Sequence, residues 1–256
     1  MSTFDRKVCV VTGGASGIGL ATASLFAAGG GMVVVADLAD GSAVASRLGG
    51  TYIRTDASDE VSMMGLFAEV EDTHGRVDVL VNNAGVMAEA DIDTLDVGDF
   101  RRLMDINALG VLLGIKHGAR LMPDGATIVN TASLSGRVGA GSYGAYAASK
   151  AAVMSLTQVA AMEYGHRGIR VNCICPASVE TPMLQAQDNG DLEREISRLA
   201  SPLGVTITAA QVADVIAFLA SPASSALTGQ AINVDAGMSA GYSNQLLHTI
   251  SSTIGA

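Results

Sequence analysis

Near the start of the sequence, an apolar run leads into the stretch Thr12-Gly13-Gly14-Ala15-Ser16-Gly17-Ile18-Gly19, and a helical pattern follows. Glycine has no Cβ, so a turn built on Gly13, Gly17 and Gly19 lets the backbone come close to a bound group. The N–H groups that open the next helix attract anions, and the Ser16 hydroxyl adds a donor. This order predicts a pyrophosphate site, although a glycine cluster alone also fits an ordinary strand–helix turn.

The rest of the chain repeats the alternation of strand and helix. Runs such as Met32–Ala36 and Val77–Val81 are almost wholly apolar, which is typical of strands buried on both faces of a parallel sheet. The pattern predicts an α/β fold, a Rossmann-like doubly wound parallel sheet of about seven strands with helices on both faces. The predicted strands are Lys7–Thr12, Met32–Asp37, Thr51–Arg54, Asp78–Asn82, Ala126–Thr131, Arg170–Ile174 and Ala231–Asp235. The main predicted helices are Ile18–Ala28, Glu60–His74, Asp99–Leu121, Tyr143–Gly165 and Ala209–Ser221.

The length fits one domain of this class, predicted to cover residues 1–256. Residues 177–208 interrupt the alternation of strands and helices. They form a long stretch that is richer in charge and contains one amphipathic piece, Leu192–Leu199. A long excursion at the carboxyl end of a strand favours a substrate-binding loop or lid. A surface insertion is the alternative.

Asp37 ends the second predicted strand, about 20 residues after the glycine turn, where an acidic side chain binds a ribose 2′-hydroxyl. Its carboxylate would repel a 2′-phosphate, and no Lys or Arg lies between Ala36 and Ser46 to attract one. NAD(H) is therefore favoured over NADP(H), with a helix N-cap or solvated strand end as the alternative. Asp56 is expected at the adenine edge, and Asn83 either contacts the cofactor or ties loops together.

Tyr146 and Lys150 are one helical turn apart and share a helix face. A free Tyr has a pKa near 10, and a neighbouring ammonium is expected to lower it by stabilising the phenolate. Tyr146 can then take the proton of an alcohol as hydride leaves. Ser133 follows a strand, where its hydroxyl can hold the substrate oxygen. Combined with the nucleotide site, these residues predict a nicotinamide-dependent alcohol/ketone oxidoreductase.

Over nearly its whole length, the chain resembles the short-chain dehydrogenase/reductase family. The resemblance is carried by Thr12–Gly19, Asp56, Asn82–Gly85, Asn107, Ser133, Tyr146–Lys150 and Cys175–Thr181. It implies a catalytic tetrad of Asn107, Ser133, Tyr146 and Lys150, in which the Asn107 main chain holds a water linked to Lys150. It also implies a homotetramer, with helices Asp99–Leu121 and Tyr143–Gly165 at one interface and the C-terminal strand region at a second.

The predicted cofactor residues come from the loops that follow the strands. They are Gly13, Ser16, Gly17, Ile18, Gly19, Asp37, Leu38, Asp56, Ala57, Asn83, Ala84, Gly85, Tyr146, Lys150, Pro176, Val179 and Thr181. The resemblance implies that Ile18 lines the cleft and that Val179 and Thr181 touch the nicotinamide amide. Pro176-Ala177 departs from the usual Pro-Gly of the family without removing a catalytic group.

The predicted substrate residues are mostly apolar. They are Ser133, Ser135, Tyr143, Tyr146 and Met183, with Met87, Leu184 and Met238 as further pocket candidates. Methionine adapts its shape to a ligand, although each of these Met residues also suits the core. Arg137 is the nearest basic residue in the sequence. We therefore expect a neutral, moderately apolar alcohol or ketone.

Composition excludes several other classes of function. A net charge of −10 argues against a nucleic-acid surface, and no run of 18 apolar residues predicts a membrane span. The first apolar run is too short for a signal peptide, and three cysteines do not make a disulfide framework, so a cytoplasmic protein is expected. A metal or redox pair at Cys173 and Cys175 is the alternative. The four His residues have no metal-binding spacing and are expected at the surface or as helix caps, so no metal is predicted.

Three hypotheses follow from the sequence. The first is an NAD-dependent secondary alcohol dehydrogenase, acting on a ring alcohol or steroid-like substrate. The second is a reductase of thioester-bound 3-oxoacyl groups, an activity that usually prefers NADPH and so fits Asp37 less well. The third is a dinucleotide-binding regulatory protein without turnover, which would not need Tyr146 and Lys150 together.

Overall fold

The computed structural model describes residues 3–187 and 189–254, so the ends of the predicted domain lie outside the described residues. Its strands are β1 Val8–Thr12, β2 Met32–Asp37, β3 Thr51–Arg54, β4 Val79–Asn82, β5 Thr127–Thr131, β6 Arg170–Pro176, β7 Val179–Glu180, β8 Ile207–Thr208 and β9 Ala231–Val234. Seven of them form a parallel sheet in the order β3-β2-β1-β4-β5-β6-β9, and β7 pairs with β8. This confirms the predicted doubly wound sheet.

Helices cover both faces of the sheet. They are α1 Gly17–Ala28, α2 Ser42–Leu48, α3 Glu60–His74, α4 Val97–Met104, α5 Gly110–Gly118, α6 Gly144–Tyr164, α7 Pro182–Gln185, α8 Gly190–Ala200, α9 Ala209–Ala220 and α10 Asn244–Ile254. Alternate strand residues point to opposite faces, so Val8 and Val10 pack with α3, α5 and α6, while Cys9 and Val11 pack with α1, α2 and α9. The two apolar layers fix which helices stand on each side of the strand ends.

Predicted strand bounds agree with the structure to within one residue, except that β6 continues to Pro176, where it pairs with Val234 of β9. The sequence analysis did not identify α2 or α10. The first is short, and the second carries Ser, Thr and His between its apolar residues. Apolar periodicity therefore marked the elements with deeply buried faces and missed those at the rim.

The predicted helix Asp99–Leu121 is present as a continuous helical stretch over residues 97–118, but it contains a π-helical turn that was not predicted. The chain forms α4, then a π-helical turn over Asp105–Leu109, then α5. In the π turn, the Gly110 N–H donates to the Asp105 carbonyl, one residue further back than in an α-helix. The apolar pattern continues through both segments, so it carries no signal for the extra residue in the turn.

Residues 177–187 and 189–208 follow the carboxyl end of β6, and residue 188 of this predicted loop lies outside the described residues. They contain β7, α7, α8 and β8, and the β7–β8 pair matches Val179 with Ile207 to close the segment at its base. Helix α10 packs against α8 from the outside. Among the described residues, no helix has the length and hydrophobicity needed to cross a membrane.

Candidate active site

A cleft of about 690 Å³ opens at the carboxyl ends of the parallel strands. The neighbouring strands β1 and β4 lead to helices on opposite faces of the sheet, and such a switch point is where doubly wound folds bind ligands. Every predicted substrate residue lines the cleft, and so does every predicted cofactor residue except Gly19. Asn107 also lies outside its lining.

Close backbone contacts and positive φ angles determine the conformation of the glycine turn, residues 12–19. Gly13 and Gly17 have positive φ angles of 63° and 52°, which favour glycine. A Cβ on Gly13 would lie 2.8 Å from the Ala84 Cα, and a Cβ on Gly19 would overlap the Gly13 carbonyl oxygen. Gly19, predicted to contact the cofactor, packs against the turn and lies outside the cleft lining. It lets α1 start directly against the turn.

The first turn of α1 faces the cleft. Its N-cap is Ser16, whose side chain makes no capping hydrogen bond, so this exposed hydroxyl stays free to bind a ligand. The N–H groups at the start of the helix add the donors and the partial positive charge that suit a phosphate. This combination fits the pyrophosphate of a dinucleotide.

Asp37 lies at the end of β2 beside the glycine turn. Its carboxylate accepts hydrogen bonds from the Ala15 N–H at 2.9 Å and the Ala39 N–H at 3.0 Å. Both bonds fix the carboxylate at the cleft edge, with Leu38 beside it. Among the described lining residues, Lys150 is the only Lys or Arg, so this end of the cleft offers no cation to a 2′-phosphate.

Asn83 performs the structural task that the sequence analysis held open. Its amide nitrogen donates to the Thr12 and Gly13 carbonyls, both at 3.2 Å, and so ties the loop after β4 to the glycine turn. Thr12 completes the tie, since its hydroxyl accepts from the Asn83 and Ala84 N–H groups. Asp56 lines the cleft while accepting from the Ser58 hydroxyl at 2.6 Å.

Ser133, Tyr146 and Lys150 converge where α6 passes the end of β5. The Lys150 ammonium lies 5.7 Å from the centre of the Tyr146 ring and donates to the Thr131 carbonyl at 2.9 Å. The Ser133 hydroxyl accepts from the Ser135 N–H at 3.2 Å, which leaves its own proton available to a substrate oxygen. These three residues can hold an oxygen atom and move a proton at it.

Burial governs the ionisation of this group. It raises the pKa of Tyr146, which the nearby Ser133 hydroxyl lowers in turn. Burial also lowers the pKa of Lys150 to about 8, against a smaller opposing effect of Cys175. The Lys150 ammonium is held at the Thr131 carbonyl, and the expected stabilisation of the Tyr146 phenolate by Lys150 stays a prediction.

Asn107 lies in the π turn and is fully buried. Its amide nitrogen donates to the Val86 carbonyl at 2.9 Å and to the Ser149 hydroxyl at 3.0 Å, and its oxygen accepts from the Val86 N–H at 2.8 Å. The side chain therefore fastens the loop after β4 to α6, the helix that carries Tyr146 and Lys150. The water-holding role that the resemblance implies for its main chain stays a prediction.

The far wall of the cleft includes residues that the sequence analysis missed. These are Val138, Ser178, Gln187, Glu193 and Ile196, next to the predicted Met87, Tyr143, Met183, Leu184 and Met238. Glu193 accepts from the Tyr143 hydroxyl at 3.1 Å and from the Ser178 hydroxyl at 2.8 Å. Glu193 is one acidic residue among several on amphipathic α8, so no local spacing distinguishes it. Only its place over the cleft does.

Two other predicted features lie elsewhere. Arg137, expected as the cation nearest the pocket, donates to the Ala231 carbonyl and to the Asn233 side chain and is not part of the cleft lining. His117, expected at the surface or as a cap, is buried with its Nε2 3.0 Å from the Glu60 carboxylate, because α5 packs against the start of α3.

Cysteines and possible metal ligands do not add to the site. Cys9, Cys173 and Cys175 are buried and unpaired, and the last two share one face of β6 as predicted. Within residues 3–187 and 189–254, no group of three or more His, Cys, Asp and Glu side chains has the arrangement of a metal site.

The chain matches a family profile described as enoyl-(acyl carrier protein) reductase over residues 13–239. The cis-4-hydroxycyclohexanecarboxylate dehydrogenase of Sinomonas cyclohexanicum is 40% identical over 246 residues, which cover 93% of this chain and 98% of the relative. The 2,5-dichloro-2,5-cyclohexadiene-1,4-diol dehydrogenase of Sphingobium indicum is 40% identical over 250 residues, which cover 94% of this chain and 100% of the relative. The crystal structure of levodione reductase superimposes with a TM-score of 0.88 at 31% identity, covering 93% of this chain and 100% of that chain.

Proposed function

Because the chain belongs to the short-chain dehydrogenase/reductase family of enzymes acting on CH–OH groups, we propose that it interconverts a neutral secondary alcohol and its ketone with NAD(H). One observation carries the proposal. Ser133, Tyr146 and Lys150 meet in the same cleft that is bounded on its other side by the glycine turn. A protein that only bound a dinucleotide would have no need for a phenol, an ammonium and a hydroxyl at that point.

The choice of NAD(H) rests on Asp37. Its carboxylate is fixed at the cleft edge by two backbone N–H groups, where a ribose 2′-hydroxyl can donate to it and a 2′-phosphate would be repelled. The turn at residues 12–19 and the free Ser16 hydroxyl fit the pyrophosphate, and Ala84 and Gly85 leave space for the adenosine side. Val179 and Thr181 line the opposite end, where the nicotinamide amide would bind.

A bound nicotinamide dinucleotide supplies the hydride acceptor and a positively charged ring. The chain supplies the proton chemistry: Ser133 holds the substrate oxygen, and the Tyr146 oxygen takes the hydroxyl proton or returns it in the reverse direction. Burial raises the pKa of Tyr146, and the positive charge of the bound nicotinamide ring would act against this by stabilising the phenolate. Lys150, joined through Asn107 and a water, would connect Tyr146 to solvent.

The substrate class follows from the far wall of the cleft. Met87, Met183, Leu184 and Met238 present flexible apolar surface, and no Lys or Arg among the described lining residues other than Lys150 would bind an anionic group. Two relatives are named for hydroxylated six-membered rings. We therefore propose an alicyclic secondary alcohol as substrate, with residues 177–208 as the lid over it.

Assembly and location are further parts of the proposal. Leu112 on α5 and Val159 and Met162 on α6 are exposed apolar side chains on the helices that the family resemblance places in a subunit interface. Their burial in a homotetramer would remove apolar surface from water. The three unpaired cysteines suit a reducing compartment such as the cytoplasm.

A thioester reductase is the second candidate, because the matched profile is described as an acyl carrier protein reductase. Such a substrate brings phosphate and an acidic carrier to the cleft. Glu193 lines the far wall, where its negative charge disfavours that approach.

The test uses Tyr146→Phe, with Tyr164→Phe at the end of the same helix as the matched control. We expect NAD-dependent oxidation of cyclohexanol to fall on the order of 10³-fold in Tyr146→Phe, while NADH binding persists and the control stays active. A wild type that oxidises no alicyclic alcohol but reduces 3-oxoacyl thioesters with NADPH would replace the proposal with the second candidate. A wild type that binds NADH without any turnover would favour a regulatory protein.

A further inference from the structure

Glu193 is a carboxylate placed in the substrate half of the cleft. It extends from α8 over the cleft and accepts hydrogen bonds from two hydroxyls, those of Tyr143 at 3.1 Å and Ser178 at 2.8 Å. These hydroxyls fix both carboxylate oxygens in place. They do not neutralise the charge.

In the part of the chain that the structure describes, no cation pairs with this carboxylate. The next residue, Arg194, is committed to Glu180 at 2.6 Å and to Asp191 at 2.7 Å, on the other side of the helix. Among the ion pairs of the described residues, none involves Glu193. A carboxylate oxygen has more acceptor sites than one hydroxyl fills, so each Glu193 oxygen can accept another donor.

A second unsatisfied acceptor lies on the same wall. The Gln187 amide nitrogen donates to the Met183 carbonyl at 3.3 Å and approaches the Met87 sulfur at 3.9 Å. Its oxygen is buried and has no hydrogen-bond partner within the described part of the chain. A buried acceptor without a donor is costly, so a ligand that brings a donor to this oxygen would be bound more tightly.

These acceptors are close to the chemistry. The ring of Tyr143 packs edge-on against the ring of Tyr146, with centroids 6.4 Å apart. The hydroxyl of Tyr143 then reaches Glu193. A ring alcohol whose reacting oxygen binds Ser133 and Tyr146 would direct the opposite side of its ring toward this wall.

We propose that Glu193 and Gln187 select substrates that carry a second hydroxyl across the ring from the reacting carbon. The chemical class is a cyclic diol or hydroxyketone. A hydroxyl donates to the carboxylate, an unsubstituted ring leaves the acceptors unpaired, and a carboxylate at that position is repelled. This inference rests on the proposed function and names the substrate class of that site.

The experiment compares NAD-dependent oxidation of cyclohexanol, 1,4-cyclohexanediol and 4-hydroxycyclohexanecarboxylate. In the wild type, we expect kcat/KM for the diol to exceed that for cyclohexanol by about tenfold, through KM, as suits a hydrogen bond to a charged group. The carboxylate should be the poorest substrate of the three. In Glu193→Gln, the diol-to-cyclohexanol ratio should fall about tenfold and the carboxylate should gain relative to cyclohexanol.

Glu195→Gln is the matched control, since Glu195 lies on the same helix, pairs with Arg198 and faces solvent. It should leave all three rates unchanged. Gln187→Leu provides a second variant, in which the same ratio should fall several-fold. Thermal unfolding of each variant verifies that it is folded before its rates are compared.

The outcomes separate two kinds of failure. If the wild type oxidises cyclohexanol but shows no preference for the diol, this inference is overturned and the proposed function stands. The same holds if Glu193→Gln lowers every rate by one common factor, because Glu193 would then only fasten α8 over the cleft. If no alicyclic alcohol is oxidised, both are overturned.

Discussion

The glycine turn and the 177–208 segment form two sides of one cleft by different means. The turn is held by backbone groups, by loop ties from Asn83 and Thr12, and by positions where a side chain would not fit. The 177–208 segment is held by side chains that reach across it, such as Arg194 to Glu180 and Ser178 to Glu193. Few residues of the glycine turn can therefore be replaced without disturbing its backbone, whereas many side chains of the 177–208 segment can be replaced.

This difference suits the two ligands. A dinucleotide presents the same phosphates and riboses in every member of an enzyme family, so a rigid backbone cradle can bind it. A substrate differs from one relative to the next, and side chains on a helix can change without disturbing the sheet. The four predictions below test this contrast, in order of decreasing effect.

The largest effect is expected at Gly19. A methyl group there would overlap the Gly13 carbonyl oxygen, so Gly19→Ala should destabilise the fold by about 3 kcal/mol or more and abolish NADH binding. Gly65→Ala is the matched control, because Gly65 lies exposed in α3 with open space around it and should gain about 0.5–1 kcal/mol. Thermal unfolding and NADH titration measure both. Normal NADH binding by Gly19→Ala would show that side-chain contacts, rather than the backbone, hold the turn.

Asp37→Asn tests the only acidic side chain of the turn region that is proposed to touch the cofactor. Removing the charge should weaken NADH binding by about tenfold and strengthen NADPH binding, so that the two affinities converge. Asp40→Asn, three residues further along the exposed loop, should leave both affinities unchanged. Calorimetric titration of each dinucleotide gives the ratio. An unaltered ratio in Asp37→Asn would remove the proposed basis for NAD(H).

Lys150→Met should abolish turnover. It also tests how much the buried Lys150 ammonium lowers the free energy of unfolding. Because burial lowers the pKa of Lys150 to about 8, the folded protein binds this proton less tightly than the unfolded chain does. The cost is complete below pH 8 and disappears as the pH rises toward the ordinary value of 10.5. After the lost hydrogen bond to Thr131 is subtracted, the variant should be more stable by on the order of 1–2 kcal/mol at neutral pH.

Denaturant unfolding across this pH range measures the Lys150 effect. The wild type should gain stability relative to Lys150→Met as the pH rises from about 8 to 10.5. Lys116→Met on α5 is the control for loss of a lysine, since its half-exposed ammonium pairs with Glu60 at the surface. A pH-independent difference between wild type and Lys150→Met would contradict a depressed pKa.

Arg194→Gln probes the 177–208 segment and should have the smallest effect. The Arg194 side chain is partly exposed and its Asp191 partner is fully exposed, so stability should change by less than about 1 kcal/mol. We expect KM for the alcohol to rise a few-fold at unchanged NADH affinity, because Glu180 and α8 lose their link. A large loss of NADH binding would mean that the segment supports both ligands and that the two constructions are not separate.

The same contrast explains what the sequence could predict. Strands with continuous apolar runs, the glycine turn and the Tyr146–Lys150 pair are local patterns, and they lie where they were expected. The π turn around Asn107 adds one residue to a helix without altering its apolar pattern.

Contacts between distant segments carry no such signal. Arg137 is close in sequence to the predicted pocket residues, but in the fold its guanidinium donates to the Ala231 carbonyl of β9. Glu193 reaches the cleft because α8, which lies between the paired strands β7 and β8, packs near Tyr143. These positions depend on how separate segments pack, and a single sequence contains no pattern for that.

The approach of Gly17 to Thr181 links the two sides of the cleft. A Cβ on Gly17 would lie 3.3 Å from the Thr181 methyl, and the Thr181 hydroxyl caps the helix that carries Met183 and Leu184. A shift of the turn at residue 17 would therefore change the packing of Thr181, the N-cap of a helix that lines the substrate wall. A substituent at position 17 would therefore meet the Thr181 methyl group, so a residue of the turn and a helix cap of the substrate wall limit each other's size.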